Sequence, residues 1–146
     1  MIAAPLIPAL LPIVAAVPGV RRALEADDLA ALVAARDLPQ TLPAAYVLVM
    51  GEAAGQVPRT VHTTSIAAEL AVVLVDRPRA TPRGLALGEI GAGVIAALDG
   101  RVPAEGWTPI GYRGGAQQVR AAAADRQGAV FLTLSFATSI RLRGAP

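Results

Sequence analysis

The chain has no cysteine, no lysine and one histidine, His62, in 146 residues. Without cysteine there is no disulfide, no thiolate metal site and no cysteine nucleophile. A single imidazole without thiolates builds no zinc motif. Aromatic residues are 3% of the chain, so the core has to be thin and made of small aliphatic groups. Charged residues are 16%, below the usual ~25%. The chain is too apolar to be disordered, yet it has too few charges to solvate every side. Part of its surface is therefore expected to be buried against partners. All thirteen basic residues are arginine, and the net charge is only +2. With abundant Ala, Gly and Pro, the arginine usage reads as GC-rich coding, and charge gives no ground for a nucleic-acid binder.

The length suits one domain, residues 1–146, with one core. Residues 2–20 carry no charge, but Pro5, Pro8, Pro12 and Pro18 fall within them. Four prolines would leave many backbone groups unpaired in lipid. No basic segment precedes the run as in a signal peptide. It reads as a short kinked helix, Pro8 to Ala16, of a soluble protein.

The stretch that organises the chain is Val130 to Arg143. Val130, Leu132, Leu134, Phe136, Thr138, Ile140 and Leu142 alternate with Phe131, Thr133, Ser135, Ala137, Ser139, Arg141 and Arg143. Side chains of a strand point alternately to opposite faces, so this is a long strand with one apolar and one mostly polar face. Val61 to Asp76 predicts a second one. Ile66, Ala68, Leu70, Val72 and Leu74 line one face; Thr63, Ser65, Ala67 and Glu69 line the other, which turns apolar at Ala71, Val73 and Val75. Tyr46 to Met50 is an unbroken apolar run and predicts a strand buried on both faces. Ala116 to Ala123 predicts a strand joined to the last by a turn at Asp125-Arg126-Gln127-Gly128. Val20 to Leu24 allows a further short strand.

Asp27 or Asp28 offers an N-cap for a helix carrying Leu29, Leu32 and Val33, stopped before Pro39. Thr81-Pro82 is a helix start. Behind it Leu87, Ile90, Val94 and Leu98 form a stripe, with Gly91 and Ile95 beside it and Gly100 at the end. This helix is the expected cover for the closing strand. Gly51 to Arg59, Arg77 to Arg83 and Val102 to Gly111 read as loops. The expected fold is α+β: a mostly antiparallel sheet of about four strands with helices packed on one face.

Little in the sequence carries chemistry. His62 stands among hydroxyl residues at a strand start and reads as a surface histidine, since a triad needs a nucleophile and an orienting acid in reach. Asp27-Asp28 is explained by helix capping. Gly84, Gly88, Gly91 and Gly93 match neither a phosphate loop nor a dinucleotide fingerprint. Ser65, Ser135 and Ser139 lie in strands rather than on a nucleophile elbow. No catalytic, cofactor or metal residues are assigned. Arg77, Arg79 and Arg83 share one loop, and Arg141 and Arg143 end the closing strand. They read as solvated charge at sheet ends, or as an interface or lumen that meets acidic neighbours or DNA phosphates.

From Leu42 through Gly55 (Leu-Pro-Ala-Ala-Tyr-Val-Leu-Val-Met-Gly-Glu-Ala-Ala-Gly) the chain resembles the small tail terminator proteins of long-tailed bacteriophages. These are of the lambda terminator fold and also occur in phage-like gene transfer particles. The order of elements agrees along nearly the whole chain, including the Tyr112-Arg113-Gly114-Gly115 segment. Before the closing strand, where the group commonly has several aromatics, Gln127 to Phe131 has one. The resemblance implies a non-enzymatic virion part of the phage neck, assembled in the bacterial cytoplasm. It implies a hexameric ring on the tail tube that ends tube polymerisation, meets the head-side connector and lets DNA pass without sequence-specific binding. It implies no cofactor and no membrane. Other readings are another neck or completion protein, a small ligand-binding domain with a closed apolar pocket, and a small hydrolase built around His62.

Overall fold

In the computed structural model, residues 1–55, 63–78 and 86–143 are described. Eight elements follow in chain order: α1 (Leu6–Ala15), β1 (Arg22–Glu25), α2 (Leu29–Ala34), β2 (Ala44–Ala54), β3 (Thr63–Asp76), α3 (Leu87–Leu98), β4 (Gly111–Arg120) and β5 (Ala129–Arg143). The strands form one sheet in the order β1-β2-β3-β5-β4. β5 and β3 are paired over the whole length from Thr63 against Arg143 to Asp76 against Val130. This long central ladder is the scaffold onto which the rest is laid.

The sheet has five strands rather than about four, and it is mixed. β1 runs parallel to β2, with Arg22 opposite Ala44 and Glu25 opposite Val47. The reason is the connection: α2 lies between the two strands, and a helical crossover returns the chain in the same direction. β1 has only four residues, too few for an alternation that would announce its pairing. The remaining pairings are antiparallel.

The helices do not all pack on one face. Leu6, Leu10 and Val14 of α1 and Ile90, Val94 and Leu98 of α3 join Val47, Ala68, Leu70, Val72, Leu74, Leu134 and Phe136 in the main core. The other face holds a smaller cluster of Leu48, Ala71, Val73, Val75, Ala129 and Phe131, and here Leu29, Leu32 and Val33 of α2 provide the cover. β3 explains why both are needed: it is buried from Leu70 to Asp76 on both faces, so α1 and α3 alone would leave the second row wet.

α1 tolerates Pro12 within it. Asp28 caps α2, its side chain accepting from the Ala30 N–H at 2.9 Å; Asp27 does not act as the cap. α3 begins at Leu87 with Ala86 before it, and Thr81-Pro82 lies outside the described residues. Its glycines seat it closely. A Cβ on Gly91 would stand 3.0 Å from Leu132 Cδ2, and one on Gly93 would stand 2.9 Å from Val17 Cγ1. Gly100, at φ +80°, follows the last turn, and its N–H donates to Ile110 O at 2.7 Å.

Two strands, β2 and β4, depart furthest from the expected limits. β2 runs on through Gly51–Ala54, beyond a bulge between Val49 and Gly51. β4 takes in the Tyr112-Arg113-Gly114-Gly115 segment, again with a bulge, and stops at Arg120. In both places the neighbouring long strand offers free ladder partners, and these outweigh the weak strand preference of glycine.

Candidate functional site: the half-bare face of the sheet

The second face of the sheet divides into two halves. Along β3 and β5, Val75, Val73 and Ala71 lie beside Phe131, Thr133 and Ser135, and these are followed by Glu69, Ala67 and Ser65 beside Ala137, Ser139 and Arg141. α2 covers the first half. In the second half Ala67, Glu69 and Arg141 are exposed, and Ser65, Ala137 and Ser139 are half-buried. Gly51 and Ala53 of β2 extend the patch, opposite Glu69 and Ala67. A shallow depression of about 450 Å³ is lined by Gly51, Glu52, Ala53, Ala67, Ala68, Glu69, Arg113 and Ala137. Its walls are glycine and alanine, with two carboxylates, Glu52 and Glu69, and the Arg113 guanidinium of the β4 bulge. Such a surface lets another chain approach the backbone closely, and it presents no paired nucleophile and base.

A latch holds the covered half in place. Arg120, 6% exposed, makes four hydrogen bonds, all to backbone carbonyls: Nη1 donates to Val33 O at 2.7 Å and to Ala35 O, and Nε and Nη2 donate to Gln127 O at 3.1 and 2.9 Å. Its guanidinium lies 5.6 Å from the Phe131 ring centroid, within cation–π range. Gln127 adds a second tie, accepting from the Leu38 N–H through Oε1 and donating its own N–H to Arg36 O. Arg36 Nε donates to Asp125 O. The β4–β5 connection is thus clipped onto the end of α2. Arg120 was invisible in the sequence as one arginine among thirteen. Its place within the predicted strand Ala116 to Ala123 gave no sign of this role, because the observed strand ends at Arg120 itself.

On the same side, Tyr46 lies between Leu24 and Val73 in neighbouring strands. Burial pushes its phenol above the ordinary value of 10.0, and the Arg22 charge pulls the other way. Elsewhere Thr108 pins the loop before β4 to β5: its N–H donates to Ser139 O at 2.8 Å, and Thr138 Oγ1 donates to its carbonyl at 2.7 Å. This loop also places Trp107 against Ile140.

The arginines singled out in the sequence do not form one cluster. Arg141 and Arg143 stand opposite Ser65 and Thr63 at one end of the β3–β5 ladder and are exposed. Arg77 follows Asp76 at the other end, about 40 Å away at ~3.4 Å per residue. There it borders a groove with Pro78, Val119 and Arg126. Arg79, Arg83 and His62 lie outside the described residues. Among the described residues no group of three or more His, Asp or Glu side chains could hold a metal ion. No helix among them is long and apolar enough to cross a membrane.

The fold is a five-stranded mixed sheet backed by α1 and α3 on one face and half covered by α2 on the other. The comparison with known families goes further. The pattern of the phage tail terminator proteins matches residues 2–146, essentially the whole chain, and the chain belongs to that family. Membership gives it a structural role in the phage tail. No curated protein matches it.

Proposed function

We propose that residues 1–146 act as one tail-terminator domain that forms a hexameric ring on the end of the tail tube. The ring stops tube polymerisation and offers its far side to the head-side connector protein, and DNA passes through it held by no sequence-specific contact. The observation that carries this reading is the half-bare sheet face. Ser65, Ala67, Glu69, Ser139 and Arg141 lie on a rigid ladder whose reverse side is packed under α1 and α3. This is a flat, small-residue surface for a sister copy, the tube or the lumen. Arg141 and Arg143 at one end of the ladder, and Arg77, Arg79 and Arg83 in the segment after β3, are the proposed interface or lumen residues. The particle is the virion, assembled in the host cytoplasm.

The test is to mix the purified protein with tail tubes and image them by negative stain, with light scattering on the protein alone. Rings at tube ends, and a mass near six times 14.9 kDa, free or on the tube, are the expected result. Rings that bind the head-side connector and ignore tubes would indicate a different neck protein.

A further inference from the structure

The sheet ends in two edge strands of opposite direction, β1 and β4, and we propose that they join between copies, β4 of one subunit adding to β1 of the next. This rests on the ring reading above and names the contact that would close the ring.

The bonding pattern of β4 identifies its free groups. The Thr108 N–H donates to Ser139 O, which puts the odd-numbered residues of β5 on the β4 side. Their partners Gly114, Ala116, Gln118 and Arg120 take the internal ladder bonds. The residues between them, Gly115, Gln117 and Val119, direct N–H and C=O away from β5, because an antiparallel strand alternates. Tyr112 belongs to the same outward set, and its N–H is taken by Asp99 Oδ1 at 3.0 Å. The edge is therefore closed at its start by Asp99 and the bulge at Arg113. From Gly115 to Val119 it is open: all five residues are exposed, Val119 by 63%. Proteins protect such edges with proline, lysine or a covering element; Gly115 to Val119 contains neither proline nor lysine, and among the described residues no strand covers it.

The opposite edge is β1. Strand order and pairing make β1 and β4 run in opposite directions. A neighbour placed head to tail would thus continue the sheet as an antiparallel pair. Both copies would then keep α1 and α3 on the same side and the bare half-face on the other. Contacts of this kind close into rings when the rotation between copies allows. Charge favours the same pairing. Antiparallel alignment brings the end of β1, with Glu25 and Asp27 exposed, towards the start of β4, with Arg113 exposed.

Two experiments decide it, each on the full chain. Gln117→Pro removes an outward N–H and leaves the ladder to β5 intact, so proline is tolerated there as on other edge strands. It is expected to leave the circular dichroism unchanged and to lower the ring fraction at least tenfold. The native chain has no cysteine, so Arg22→Cys and Gln118→Cys can be made singly, mixed and treated with a short bismaleimide. A cross-linked dimer from the mixture, and from neither variant alone, is the expected result. Wild-type rings accompanied by no such dimer, or by normal rings from a folded Gln117→Pro, overturn the edge contact and leave the ring reading standing. If Gln117→Pro unfolds, the cysteine pair alone decides. If the wild type forms no ring, free or on tubes, both readings fall.

Discussion

Arg120 Nη1 donates to Val33 O at 2.7 Å while the same guanidinium lies over the Phe131 ring. One side chain thus joins the end of β4, the closing strand and the segment that ends α2. α2 has no fully buried residue of its own, so it depends on this tie more than on burial. Arg120→Ala should cost about 2–4 kcal/mol, since it strands carbonyls that now accept charge-assisted bonds. Arg120→Lys should recover little of this, because an ammonium lacks the planar fork. Denaturant unfolding measures the cost. Hydrogen exchange should show residues 29–38 losing protection before the β3–β5 ladder.

The glycines of α3 should respond in opposite ways. A Cβ on Gly88 meets nothing within 4 Å, so Gly88→Ala should stabilise the protein by up to ~1 kcal/mol through helix propensity. Gly91 rests on Leu132 and Leu134 of β5. Gly91→Val should lift the helix off the sheet and cost about 1–3 kcal/mol. Thermal melts of the two variants should move to either side of the wild type.

Tyr46 links stability to high pH. Its folded pKa lies above 10.0 because burial disfavours the phenolate. Its contribution is fully present below the unfolded value and is lost as pH rises from there through the folded value. Wild-type stability should therefore fall above pH 10 more steeply than that of Tyr46→Phe. Denaturant midpoints across this range measure the slope, and phenolate absorbance should show Tyr46 ionising late.

Arg141 and Arg143 project from the exposed end of β5, beyond the core. Reversing both charges, Arg141→Glu with Arg143→Glu, should change the melting temperature little, as surface substitutions generally stay within ~0.5 kcal/mol. It should impair ring formation or tube capping. A double variant that caps tubes normally removes these residues from the proposed interface.

The sequence by itself determined the ladder at the centre of this protein. Alternation along Ile66–Leu74 and Leu132–Ile140 marks the face that packs under α1 and α3, and Ala71, Val73 and Val75 mark where β3 becomes buried on both sides. Period-two burial is a local property, and it survives in the chain order. The Leu29, Leu32, Val33 helix and the α3 stripe were legible from local helical spacing, and the tail terminator family from the resemblance of Leu42 to Gly55 and the order of elements.

What the tertiary structure alone decided is everything that depends on which strand lies beside which. The parallel partner of β1, the face that receives α2, and the strand character of Gly51–Ala54 and Gly111–Gly115 come from ladder partners supplied by distant residues. Arg77 and Arg141 look alike as strand-end charges, but the antiparallel ladder sends them to opposite ends. The role of Arg120 was set by three carbonyls from segments remote in sequence or across a turn. Its desolvation is made tolerable only when the fold brings those acceptors together, and no run of neighbouring residues could announce that.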